Sequence, residues 1–338
     1  MSDRANAATA FIATSDWAAA QRSALAGDAS ERSYQRLVLG GRSAVFMDNP
    51  PGNADDPASF ALIDGHLRSL GLSAPEILAA DLSQGFLLLE DLGDRLFSRV
   101  LRQDLAEEPA LYTAATDVLH HLQGSPAPQG LPDLTSPEWA DAAAVVLEWY
   151  AYAVTGQRCD KAAFIAALAE ALARFADGPR VLILRDYHAE NLLWLPDRQG
   201  LAKVGLLDFQ LAQMGQPAYD LVSLLQDARR DVGPDTETAM IQHFAAQIGQ
   251  PLTAFSATYA AIGAQRALRI LGIFARLCLV SGKPGYVPLI PRVWNHLQAN
   301  LAHPALSHLR RVCDATLPEP AASNLSKIER QCAISPSP

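Results

Sequence analysis

Two hydrophobic periods share the first ninety residues. Residues 15–26, SDWAAAQRSALA, read as a short helix with Ser15 or Asp16 as N-cap. RLVL and SAVFMD, joined across Gly40-Gly41, read as the two strands of a hairpin. Phe60, Ile63, Leu67 and Leu70 recur at three- and four-residue spacing, one apolar helical face over 58–70. EILAAD and GFLLLED read as two further strands with the turn at DLSQ. From residue 95 the period becomes helical, over 95–106, 109–123, 137–155 and 161–176, with a Pro/Gly loop at 124–137. Strand-like segments return at 181–208. Helical spacing resumes at 218–230, 235–248, 255–281 and 291–313. The chain from 315 is rich in Pro, Ser and Ala and reads as a poorly ordered tail. The expectation is an α+β chain: a small antiparallel β-rich lobe over 1–92, a mostly helical lobe over 93–314, and a tail over 315–338. There is no internal repeat.

Composition narrows the classes. The length of 338 residues fits two lobes at about 150 residues each. A chain that is 49% hydrophobic buries a core and is not disordered. A formal charge of −9 argues against nucleic-acid binding. No run reaches the roughly 18 uncharged apolar residues of a membrane span, and MSDRANAATA is no signal sequence. The four cysteines (159, 278, 313, 332) form no CxxC pair and read as free thiols in a reducing cytoplasm. These features predict a cytoplasmic protein with neither nucleic acid nor membrane as partner, and leave its oligomeric state open.

The chemistry concentrates in VLILRDYHAENLLWLPDRQGLAKVGLLDFQ. Two apolar runs, 191–195 and 204–209, flank the turn residues 196–200, which predicts a hairpin. A turn centred between Arg198 and Gln199 sets Asn191 opposite Leu206, with Asp208 two residues beyond and Asp186 in the loop just before. Each of these polar residues alone reads equally well as a turn or cap residue. Together they are an amide and a carboxylate suited to Mg²⁺, plus a second carboxylate able to deprotonate a hydroxyl. That is the equipment of phosphoryl transfer.

These residues resemble the protein-kinase-like superfamily, specifically its aminoglycoside phosphotransferase branch. LRDYHAEN stands where that branch has its HxDxxxxN loop, and DFQ where protein kinases have DFG. GDASERSYQRL, SAVFMDNPPG, GFLLLEDLGD, GLLDFQLAQMGQPAYDLVSLLQDARRDV and QRALRILGIFARL follow in the expected order over about residues 25 to 295. Within the branch the chain is most similar to bacterial N-acetylmuramate/N-acetylglucosamine anomeric kinases. The resemblance implies a protein-kinase-like bilobal fold and an ATP- and Mg²⁺-dependent kinase for an amino-sugar hydroxyl. Asp186 is then the catalytic base, Asn191 and Asp208 hold Mg²⁺, the backbone of Glu90-Asp91-Leu92 forms the adenine hinge, and Asp220 braces the catalytic loop. Two alternatives stay open: a phosphotransferase for aminoglycosides or other small molecules, and a non-catalytic ATP-binding pseudokinase.

One departure is plain. Only four lysines occur, the first at 161, so the small lobe lacks the strand lysine that protein kinases place on the nucleotide phosphates. The backbone and hydroxyls of Asp28-Ala29-Ser30, with Arg32, Arg36 or Arg42, are the candidates to replace it. Arg32 is favoured because it lies inside the polar turn and an arginine fork binds phosphate bidentately. The position after it is Ser33, so no two-arginine clamp is expected.

Residues 238–313 contain no Asp or Glu and seven basic residues, which leaves −16 on the remainder (−9 − 7). Arg266, Arg269 and Arg276 fall within about 80° on one helical face. Buried arginines need partners: the anionic substrate or internal acids such as Asp227, Asp231 and Asp235. Polycationic aminoglycosides call for a carboxylate-lined pocket, so this balance leans towards a neutral or anionic sugar such as N-acetylmuramate. His188 reads as a substrate contact or as packing, His120-His121 as structural, and Glu148-Trp149-Tyr150 as core in preference to a sugar platform.

Overall fold

The run Phe86–Leu89 becomes a buried interior strand of a five-stranded antiparallel sheet. In the computed structural model, which describes residues 3–25, 32–52 and 56–334, the sheet comprises β1 (Gln21–Leu25), β2 (Ser33–Leu39), β3 (Arg42–Asp48), β4 (Ile77–Asp81) and β5 (Phe86–Glu90). Their order is β1-β2-β3-β5-β4. Helix α1 (Asp3–Ala13) contributes Ala8 and Ile12 to a core with Trp17, Leu37, Ala44, Phe46, Phe86 and Leu88. Strand alternation turns Leu87 and Leu89 to the opposite face. Helix α2 (Pro57–Ser69) starts at an Asp56 cap whose carboxylate accepts from Ala58 N, and buries Phe60, Ile63 and Leu67.

The helix expected over 15–26 is corrected. The helix lies at 3–13, and 21–25 is an edge strand whose Gln21 pairs with Val38. The four residues Gln21–Ala24 are exposed, so this strand carries no apolar alternation to read. Pairing with β2 overrides the helix propensity of Ala, Gln and Arg.

The chain continues through α3 (Phe97–Gln103), α4 (Glu108–Gln123), α5 (Ser136–Ala143), a π-helical turn (Val146–Ala151), α6 (Tyr152–Thr155), α7 (Lys161–Phe175) and β6 (Val181–Ile183). Then follow β7 (Leu192–Trp194), β8 (Val204–Leu206), β9 (Gln213–Gly215), α8 (Ala218–Leu225), α9 (Pro234–Gln247) and α10 (Leu252–Leu279). The last helices are α11 (Ile290–Leu301), α12 (Ser307–Thr316) and α13 (Ala322–Arg330). Pro304 breaks the stretch expected as one helix over 291–313, because it has no N–H to give the ladder. Helix α8 stops at Leu225, five residues short of the expected end, and Asp227 then turns the chain by accepting from Arg229 N.

Two compact units result: residues 1–130 with 184–212, and 131–183 with 213–338. The first takes in α3, α4 and the β7–β8 hairpin as well as the sheet, so it extends beyond the residue-92 lobe boundary read from the sequence. The backbone gives the reason. Trp194 N donates to Arg95 O at 2.8 Å, Ser98 N to Ala189 O at 2.9 Å, and Leu206 N to Ser73 O at 2.9 Å.

In the second unit α10 is the central helix and packs against α11, α8, α7, α5 and the π-helical turn. A Cβ at Gly272 would lie 2.6 Å from Val145 C and Val146 N, so only glycine lets α10 meet that backbone. The stretch from 315, expected to be poorly ordered, carries α13. Lys327 and Gln331 donate to Val154 O and Ala153 O, carbonyls that the end of α6 leaves unpaired. Among the described residues, no helix is long and apolar enough to cross a membrane.

Gly272→Ala is expected to cost about 1–3 kcal/mol in urea unfolding, the usual penalty of overpacking. Gly65→Ala, on an exposed turn of α2 with open space around it, is expected to gain about 0.5–1 kcal/mol. Equal effects at the two sites would contradict the close approach.

Candidate active site

The hairpin sets the geometry. β7 and β8 pair Leu192 with Leu206, Leu193 with Gly205 and Trp194 with Val204. The partners sum to 398, so Asn191 faces residue 207, and Leu207 N donates to Asn191 O at 3.0 Å. The expected pairing with Leu206 is one residue off. The connection contains a 3-10 turn at Gly200–Lys203 and centres on Gln199, and a one-residue slip exchanges the faces of a strand. Gly205 lies close under the hinge: a Cβ there would come within 3.3 Å of Leu92 Cδ1 and 3.1 Å of Leu193 Cβ.

At the open end of the hairpin, Asn191 contacts two of the other expected residues, Asp186 and His188. The Asn191 side-chain amide donates to Asp186 O at 2.9 Å, which fixes its rotamer and leaves Oδ1 facing the other way. Asn191 N donates to His188 O, and the Asn191 amide lies 3.5 Å from His188 Nε2. His188 is buried. Asp186 N donates back to Leu184 O at 2.9 Å around Arg185, whose φ is +73°, a tight γ-turn. Asp208 also has a positive φ, +60°. Such backbones persist only where their surroundings hold them, and they cluster at functional sites. Here the anchors are the following residue, Phe209, fully buried and stacked on Phe60 at 4.9 Å between centroids, and two donors on Asp208 Oδ1. Those donors are Arg32 Nη2 at 2.6 Å and Gln210 Nε2 at 2.9 Å.

Arg32 is 9% exposed. The other two arginines considered for the phosphates are committed elsewhere: Arg36 pairs with Asp91 and Asp94, both at 2.7 Å, and Arg42 lies over the Trp17 ring. Asp28 and Ser30 lie outside the described residues. At the turn end of the hairpin, the Glu90 carboxylate accepts from Arg198 Nη2 at 2.5 Å and from Glu76 N at 3.3 Å, so it is engaged within the protein. The sequence pattern reads Arg198 only as a turn residue and gives no sign of the Gln210–Asp208 contact or the Phe60–Phe209 stack. No spacing rule announces the Arg198 and Phe60 contacts, because each joins distant segments, and the Gln210 contact depends on the positive φ of Asp208.

The remaining expected residues belong to the second unit. Asp220, in α8, is fully buried. Arg266 is 8% exposed and donates to Ser223 Oγ at 2.7 Å, with Gln226 O at 3.5 Å, so neutral acceptors hold it. Arg269 is half-buried on the same helix. Tyr150 is core, its hydroxyl donating to Pro318 O, while Glu148 pairs with Lys161 and Trp149 lies beside Arg276.

A family model for the phosphotransferase enzyme family matches residues 21–259. The chain belongs to the phosphotransferase enzyme family. Among curated proteins it is 39% identical to an N-acetylmuramate/N-acetylglucosamine kinase of Caulobacter vibrioides, over 94% of this chain and 98% of that one. It is 33% identical to the Pseudomonas aeruginosa kinase of the same name, over 87% and 88%. Among solved structures it resembles a choline/ethanolamine kinase family protein from Mesorhizobium loti, with a TM-score of 0.61, 15% identity and coverage of 97% and 99%. It also resembles an aminoglycoside phosphotransferase, APH(4)-Ia, with a TM-score of 0.58, 15% identity and coverage of 88% and 98%. The fold is therefore the protein-kinase-like fold of these phosphotransferases.

In this phosphotransferase the helix following β3 presents Asp64, 3% exposed, with Oδ1 lacking any hydrogen bond. Burial pushes its carboxyl up to about 7, Glu76 and Glu90 add to the shift, and Arg68 opposes it. The folded chain therefore holds a proton between about pH 4 and 7 that the unfolded chain releases, and stability falls as pH rises through that window. Asp64→Asn is expected to match the parent at about pH 4 and to exceed it at pH 8 by about 1–3 kcal/mol in urea unfolding. A variant less stable than the parent at pH 8 would contradict this.

Proposed function

We propose that this phosphotransferase is an ATP- and Mg²⁺-dependent kinase acting on the anomeric hydroxyl of N-acetylmuramate and N-acetylglucosamine. The observation that carries the acceptor class is the 39% identity to the Caulobacter vibrioides kinase along nearly the whole of both chains. The basic, acid-free stretch 238–313 agrees with a neutral or anionic sugar better than with a polycation.

The roles follow from the hairpin. Asp186 takes the proton of the acceptor hydroxyl as its oxygen bonds to the γ-phosphorus of ATP and the bond to the leaving ADP breaks. The donor set suits Mg²⁺: Asn191 Oδ1 is turned from its own hydrogen bond, and Asp208 is a carboxylate one residue past Asn191's partner. Asn191 and Asp208 would be the protein ligands, with phosphate and water oxygens making up the rest of the shell. Bound there, Mg²⁺ supplies charge neutralisation on the transferring phosphoryl group. Arg32, which pairs with Asp208, binds phosphate oxygens in a lobe that has no lysine. Asp220 acts as a brace and His188 as a contact near the acceptor; Glu90 to Leu92 bind adenine through their backbone.

Mass spectrometry of reactions with ATP and a panel of amino sugars and aminoglycosides tests the reading. The expected product is an acid-labile sugar phosphate from N-acetylmuramate and N-acetylglucosamine, with none from aminoglycosides. Stabilisation by Mg·ATP without transfer to any sugar would instead assign a regulatory nucleotide-binding module, as the missing small-lobe lysine allows. Asp186→Ala is expected to lower kcat by about 10²–10⁴-fold while ATP still binds. Near-full activity in that variant would remove Asp186 from the role of base.

A further inference from the structure

We infer that Arg198 is a positioning residue for nucleotide binding, clamping the 90–92 segment to the hairpin that carries Asn191 and Asp208. This rests on the proposed reading of Glu90–Leu92 as the adenine-binding hinge. Arg198 stands in the hairpin turn, at the end opposite Asn191 and Asp208. Its guanidinium spans two acceptors from different segments: Nη2 donates to Glu90 Oε1 at 2.5 Å and Nη1 to Ser73 Oγ at 2.7 Å. Ser73 in turn donates from Oγ to Ala202 O at 2.6 Å and accepts Leu206 N at its carbonyl, so it holds the second arm of the hairpin at two points. Glu90 is fixed from the other side as well, through Glu90 N to Glu76 O at 2.8 Å and Glu76 N to Glu90 Oε2 at 3.3 Å. Leu92 packs over Gly205, at the start of the path from the turn to Asp208.

The consequence is geometric. Adenine and the phosphates of one nucleotide must be met at a fixed separation, by the 90–92 backbone and by the open end of the hairpin. The Arg198 fork makes those two parts one body. A lysine, a point charge, serves Glu90 or Ser73 but not both in fixed directions. Arg198 and Glu90 are each about one-third exposed, so the pair adds little to overall stability. Its loss is therefore felt in ATP affinity more than in melting temperature.

The test measures Mg·ATP affinity by displacement of a fluorescent ATP analogue, which needs no turnover, beside KM for ATP and for the sugar. Arg198→Met is expected to weaken ATP binding about 3- to 10-fold, to raise KM for ATP by the same factor, and to leave the sugar KM and the melting temperature nearly unchanged. Arg198→Lys should recover part of the loss. Glu90→Gln should weaken ATP binding similarly, with no further loss when combined with Arg198→Met. Unchanged ATP affinity in folded Arg198→Met, or equal rises in both KM values, overturns the clamp. Leu92→Pro, which removes a backbone N–H of the hinge, separates the two failures. If it weakens ATP binding and Arg198→Met does not, the clamp alone is wrong. If folded Leu92→Pro binds ATP as the parent does, the hinge reading is wrong and the clamp falls with it.

Discussion

The backbone pairing between β7 and β8 is the constraint on which the site depends. It sets Asn191 against residue 207, and so places Asp208 one position beyond the end of the ladder. The Asn191 amide then reaches back to Asp186 O, and one short hairpin holds all three polar residues. A slip of one residue would turn Asn191 and Asp208 to the wrong faces. Several features oppose that slip. Gly205 has no side chain to collide with Leu92 and Leu193, Ser73 grips the second strand, and Phe209 is sunk against Phe60. The positive φ values of Arg185 and Asp208 mark where this anchoring overrides local backbone preference.

Charge in the first unit is organised by arginine. Arg4 pairs with Asp48, Arg36 with Asp91 and Asp94, Arg198 with Glu90, and Arg32 with Asp208. Three of these four arginines join their own segments to those around the expected hinge and catalytic hairpin. An arginine fork fixes direction as well as charge, which a lysine does not. In a unit without a lysine until residue 203, the same residue type frames the site and is the proposed cation for the phosphates.

Much of this was legible in the sequence, and the losses are informative. The α2 face, the β2–β3 hairpin and the D-x4-N, hairpin, D-F order could be read because each is local: a helical period, a Gly-Gly turn, a spacing along one strand pair. The edge strand Gln21–Leu25 could not, since exposed residues write no alternation. Nor could α13, whose anchors are the last carbonyls of α6, more than 150 residues away. The register error came from counting a symmetric turn where a 3-10 turn adds a residue. At the site, residue types announced the acids and the amide, but not Arg198 on Glu90 or Arg32 on Asp208, because side-chain partners across the fold leave no periodic trace.

The most direct measurement is a crystal structure of the chain with Mg²⁺, a non-hydrolysable ATP analogue and N-acetylmuramate. The expected result has oxygens of Asn191 and Asp208 on the metal at about 2.1 Å, the Arg32 guanidinium moved from Asp208 to phosphate oxygens, and an Asp186 oxygen within about 3 Å of the anomeric hydroxyl. A metal held by other residues, or a sugar whose anomeric hydroxyl lies away from Asp186, would contradict the account.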